Sequence, residues 1–148
     1  MKIKLQLQMR YVLAVIGGII AAVVIIFIVE AASYMFFPPP KGIDMENPED
    51  VKRLIASAPV GSMIMVVVGW AIGAFVGGLV ASVISVRHKS AMALTVGLLL
   101  MISGIINLYM FPHPLWMWII GLAVNIPFAY FGFKFADRNY VPDGVSKS

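Results

Sequence analysis

The sequence predicts an all-α fold, a bundle of four transmembrane helices, and three observations predict it. Hydrophobic residues make up 61% of the chain and charged residues only 12%, against about a quarter charged in an ordinary soluble domain. The apolar residues fall into four runs, 11–37, 60–86, 91–111 and 115–136, each at or above the ~20 residues with which a helix crosses a bilayer. The basic residues avoid those runs and collect at their ends on one side, as the topology of a membrane protein requires.

The first run follows a basic prefix, residues 1–10. A secretory signal carries an apolar stretch of only about 7–15 residues, so this longer run reads as an uncleaved anchor. Its tail, FIVEAASYMFFPPP at 27–40, holds the one acid inside a span, Glu30. Helix 1 would be ~40 Å long, longer than the ~30 Å hydrocarbon core. Glu30 then sits near the outer boundary of the membrane, with Tyr34 on its face at i+4. An ionised carboxylate there needs water, a proton or a partner. Arg53, Lys52, His113 and Asn107 are the partners the sequence offers.

Residues 38–59 form the one long connection. Pro38, Pro39 and Pro40 hold its start extended. In NPED at 47–50, Asn47 suits an N-cap, Pro48 the first helical position, and the two acids the first turn. Val51, Leu54, Ile55 and Ala58 share a face, which predicts a short amphipathic helix over about 48–58, lying on the outer membrane surface or over the bundle.

In the second run, Gly69, Gly73, Gly77, Ala81 and Ser85 recur every four residues. This glycine zipper is a small-residue ridge along which another helix can approach closely. Ala14, Gly18 and Ala22 of helix 1 offer a matching ridge; a second copy or another membrane protein is the other candidate partner. Residues 87–90 make a short basic turn into the third run, which carries Asn107. Residues 111–114 turn tightly into the fourth, where Asn125 lies beside Pro127. The whole chain reads as one transmembrane domain of two helical hairpins.

With the amino terminus inside, eight of the eleven Lys and Arg residues (Lys2, Lys4, Arg10, Arg87, Lys89, Lys134, Arg138 and Lys147) are inside. Lys41, Lys52 and Arg53 lie outside among Asp44, Glu46, Glu49 and Asp50. The net charge of +4 is thus explained by topology and an anionic leaflet, with no nucleic acid as partner. Cysteine is absent, which excludes disulfides and thiolate chemistry. His88 and His113 fall on opposite sides, so they cannot share a metal or haem. No catalytic constellation, cofactor motif or metal set is present, and the chain is not expected to be an enzyme.

The stretches SAPVGSMIMVVVGWAIGAFVGGLVA, NLYMFPHPLWMW and PPPKGID resemble a group of small, uncharacterised four-span bacterial membrane proteins. That resemblance implies the bacterial cytoplasmic membrane and no particular activity. A looser likeness is to small multidrug-resistance exporters, which carry an essential glutamate in the first of four helices. Here the acid lies nearer the edge, the ridge is in helix 2 and the outer loop is long.

Two functions follow as expectations. One is a non-enzymatic protein acting by helix packing in the bilayer, as a homo-oligomer or an accessory subunit of a membrane complex. The other is a small proton-coupled transporter using Glu30, with Tyr34, Asn107 and His113 as the other polar candidates. The topology is testable directly, because the chain has no cysteine of its own. Ser57→Cys should react with an impermeant thiol reagent on intact cells, and Ser146→Cys only after permeabilisation; the reverse pattern would invert the assignment.

Overall fold

The structure is a computed structural model that describes residues 2–44 and 46–139. Ser146 and Lys147, used in the topology argument, lie outside the described residues. Among the described residues six helices follow one another: α1 (Lys2–Phe36), α2 (Pro48–Ala56), α3 (Val60–Ile84), α4 (Lys89–Met110), α5 (Leu115–Ala123) and α6 (Asn125–Arg138). Four segments among the described residues, Lys4–Phe36, Val60–Ile84, Lys89–Met110 and Leu115–Arg138, are long and apolar enough to cross a membrane. The all-helical bundle expected from the sequence is the fold observed.

Local differences from the expected boundaries have simple causes. α1 begins at Lys2, well before the apolar run, because Lys, Leu, Gln, Met and Arg are good helix formers and nothing in the basic prefix stops the helix. Between α3 and α4 the chain turns at His88, whose backbone is left-handed (φ 54°, ψ 38°). Ser85 ends α3 by donating its hydroxyl to the Arg87 carbonyl. The fourth span is divided at Val124, which keeps helical dihedrals (φ −74°, ψ −27°). The interruption comes from Pro127, which has no N–H for the Ala123 carbonyl; the next amide, Phe128, bonds Val124 at 3.1 Å.

The connecting helix forms as its first residues dictate. Asn47 is extended (φ −89°, ψ 114°), its side chain accepts from the Glu49 amide at 3.0 Å, and Pro48 opens the helix. None of the α2 residues is fully buried, and its backbone approaches no other helix closely. α2 spans the end of the bundle at which residues 37–59 emerge, hereafter the loop end.

α3 is the centre of the bundle. It packs against α1 on one side and α6 on the other, with α4 and α5 completing the contact, whereas α1, among the described helices, packs on α3 and α4. On the α1 side, a Cβ on Gly18 would lie 2.7 Å from the Gly77 carbonyl oxygen, and one on Gly77 would lie 2.8 Å from that of Gly18. Gly73 faces Ala22 and Ile26 in the same way, and Gly69 faces Val29. Gly69, Gly73 and Gly77 thus face α1 within the chain, with Gly18, Ala22, Ile26 and Val29 opposite them. Ala81 is fully buried beside Gly18, and Ser85, at the end of the ridge, serves the turn.

A second close crossing uses other small residues. Ala129 of α6 is inserted between Gly78 of α3 and Gly97 of α4; a Cβ on Gly78 would collide with the Ala129 backbone, and one on Gly97 would lie 2.8 Å from the Ala129 methyl. One turn on, Gly132 lies directly against the Phe75 carbonyl. These contacts bury Ala74, Ala81, Val96, Leu100 and Ala129 as one cluster, while Val67, Trp70, Leu108 and Met117 form another nearer the loop end. Gly78→Ala should cost about 1–3 kcal/mol, the usual range for overpacking, because the obstacle is backbone. Gly17→Ala should be nearly neutral, since its Cβ would meet only the tip of Ile84 at 2.8 Å. Thermal unfolding in detergent checks the contrast; equal midpoints for the two variants would contradict the crossing.

Candidate functional site

α1 and α4 touch low in the bundle, where a Cβ on Gly18 would lie 2.8 Å from Val96 Cγ2. Toward the loop end Ile19, Val23 and Phe27 of α1 line the space beside α4. A groove of about 480 Å³ opens there between α1 and α4. Its back wall is Trp70, whose ring lies against Gly104 of α4 and Gly121 of α5; a Cβ at either would come within 3.3 Å of Cζ3. Ser103, Asn107 and Glu30 give this groove a polar upper end.

A second cavity, of about 370 Å³, lies under α2 at the loop end. The three prolines 38–40, Leu54 and Ile55 of α2, and Ser62 and Met63 at the start of α3 enclose it. Glu30, Tyr34, Asn107 and His113 all line it. The four polar candidates, drawn from α1, α4 and the 111–114 turn, are thus brought to one place. Glu30 and Asn107 line both cavities, so the carboxylate stands where the two meet.

Three of the four anchors that the sequence offers Glu30, namely Lys52, Arg53 and His113, are engaged elsewhere. Lys52 pairs with Glu49 at 3.1 Å and Arg53 with Asp50 at 3.8 Å, both along α2. His113 Nδ1 is 2.9 Å from the Phe111 carbonyl, a contact internal to its own turn. Among the described residues the Glu30 carboxylate has no hydrogen bond or ion pair. Asn125, by contrast, is buried at the back of the groove and donates from Nδ2 to the Gly121 carbonyl at 2.8 Å. The bond reaches one turn back along the fourth span, from α6 to α5, and Asn125 stands two residues before Pro127.

Sequence reasoning missed the parts of the site that are not polar. Trp70 was visible only as a member of the glycine-ridge stretch, and its role as a wall depends on two glycines from other helices. Among polar residues, Ser57 and Ser62 also line the loop-end cavity without having been singled out, beside Ser33, which the sequence places on the Glu30 face at i+3. Among the described residues no group of three or more His, Cys, Asp or Glu side chains converges as a metal site would need. No protein-family profile, curated protein or solved structure matches the chain.

The arrangement offers one carboxylate free to bind a cation or a proton, one amide beside it, and apolar walls. Stability and binding should therefore separate. Asn125→Ala should lower stability by about 1 kcal/mol through loss of a buried hydrogen bond, whereas Glu30→Gln and Asn107→Ala should leave the melting midpoint near that of the parent. A large loss of stability in Glu30→Gln would show that the carboxylate braces the fold.

Proposed function

We propose that this chain is a small non-enzymatic transport protein of the bacterial cytoplasmic membrane, with both ends inside, in which Glu30 exchanges a proton for a cationic substrate. The observation that carries the reading is the unpaired Glu30 carboxylate at the meeting of two cavities. An ionisable group within a span is costly to keep, and it usually marks a path for a substrate, ion or proton. The excess of Lys and Arg at the end away from α2 supports the orientation. In that orientation the loop-end cavity faces outward.

The chemistry required is modest. Glu30 holds a proton when the site is empty of cation, and an arriving cation displaces it, so that the two compete for one carboxylate. Asn107 supplies an amide that can hydrogen-bond either form. Tyr34 and His113 are the other titratable groups on the loop-end cavity, and Lys52 and Arg53 are held on α2 by its own acids.

The experiment is proton release. Tetraphenylphosphonium added to the protein in weakly buffered nanodiscs should bind and release protons to a pH indicator. Glu30→Gln should abolish the release, and His113→Ala should retain it. A protein that neither binds nor releases, yet leaves mild detergent together with a fixed membrane partner, would replace this reading with that of an accessory subunit.

A further inference from the structure

Resting on the Glu30 reading, we infer that the substrate is a cationic amphiphile that enters sideways from the bilayer, with its alkyl chain in the groove between α1 and α4 and its charged head at Glu30. The groove is graded along its length. Its lower part is walled by Ile19, Val23 and Leu99, and its polar groups stand at the upper end, where Ser103, Asn107 and Glu30 lie. The one polar group at its back, Asn125, already spends an amide proton on Gly121. An apolar channel that ends in a carboxylate has the shape and polarity of a single-chain amphiphile.

Position and charge agree with this occupant. Phe27 and Leu99 on the two rims are 66% and 38% exposed, so the groove opens on the surface that the bundle turns toward lipid. Eleven residues separate Ile19 from Glu30, a rise of roughly 16 Å that suits an extended alkyl chain. The volume of about 480 Å³ falls within the range of about 300–1,000 Å³ typical of small-molecule sites. Among the described residues no Lys or Arg lines the groove, so an anionic head would meet Glu30 with nothing there to offset the repulsion.

The bilayer setting also says which part of the ligand is recognised. Lipid hydrocarbon is as apolar as the groove, so moving an alkyl chain from one to the other supplies no hydrophobic drive. The chain brings the ligand to the right depth, and the head must supply the discrimination. Among ligands with the same tail, head charge should consequently decide binding.

Trp70 provides the readout, since it forms the back wall of the groove. In a Trp116→Phe, Trp118→Phe background in nanodiscs, Trp70 is the one remaining tryptophan. A bromine-tipped dodecyl-trimethylammonium should quench it saturably, and the neutral bromine-tipped dodecanol should quench it only in proportion to its bulk concentration. Glu30→Gln should weaken the saturable phase by at least about tenfold, the loss expected for one charged contact. Ser103→Leu, which fills the groove without touching the core, should weaken it as well. Tetramethylammonium, which has no tail, should compete poorly.

Equal competition by tetramethylammonium, or unchanged binding in Ser103→Leu, would overturn the lateral route while leaving Glu30 as a cation site. Saturable quenching by dodecanol that survives Glu30→Gln would overturn recognition by charge. Loss of saturable binding for every cation would overturn both this inference and the reading it rests on.

Discussion

The close approach of two helices to α3 is the constraint on which the rest of this structure depends. Inside a bilayer the lipid chains are as apolar as the side chains, so helices gain nothing by hiding from their surroundings and must be held by contact itself. α3 meets the demand with glycine on two faces. Gly69, Gly73 and Gly77 admit α1, and Gly78 admits α6 at Ala129. Because the two faces differ, α3 can be central without placing its neighbours against each other.

That arrangement also produces the cavities. α1 is drawn onto α3 along the length of the ridge, and it meets α4 closely around Gly18 and Val96. Above that point Ile19, Val23 and Phe27 of α1 and Leu99 and Ser103 of α4 line the groove between the two helices. Glu30 and Asn107 stand at its upper end, on the two helices that diverge. The polar site and the glycine packing are therefore one design, since closer packing of α1 on α4 would bury the carboxylate without a counter-charge.

Much of the fold was legible in the sequence because the bilayer imposes a length that only long apolar runs satisfy. The cap of α2 was legible for a local reason, the chemistry of Asn47 and Pro48 at a helix start. The ridge on α3 and its partners Gly18 and Ala22 were legible as a spacing. The Gly78, Gly97 and Ala129 crossing was not, because helices that are apolar all round give no sign of which face meets which. Glu30, Tyr34, Asn107 and His113 could each be recognised as polar exceptions. Their convergence on one cavity depends on the turn at 111–114 and on the path of the prolines at 38–40, which spacing alone does not describe.

The insertion of Ala129 between Gly78 and Gly97 also bears on how the molecule is made. The slot that receives α6 is built by α3 and α4 together, so it exists only after both have entered the membrane and turned at His88. α1, synthesised earlier, likewise has no seat until the glycine face of α3 has followed it. Chains emerge from the ribosome amino end first, and here the first span must wait while the last closes the assembly. The hairpin in the middle of the chain is thus the template for biogenesis, and a delay in its insertion would leave both flanking segments in lipid without a surface to join.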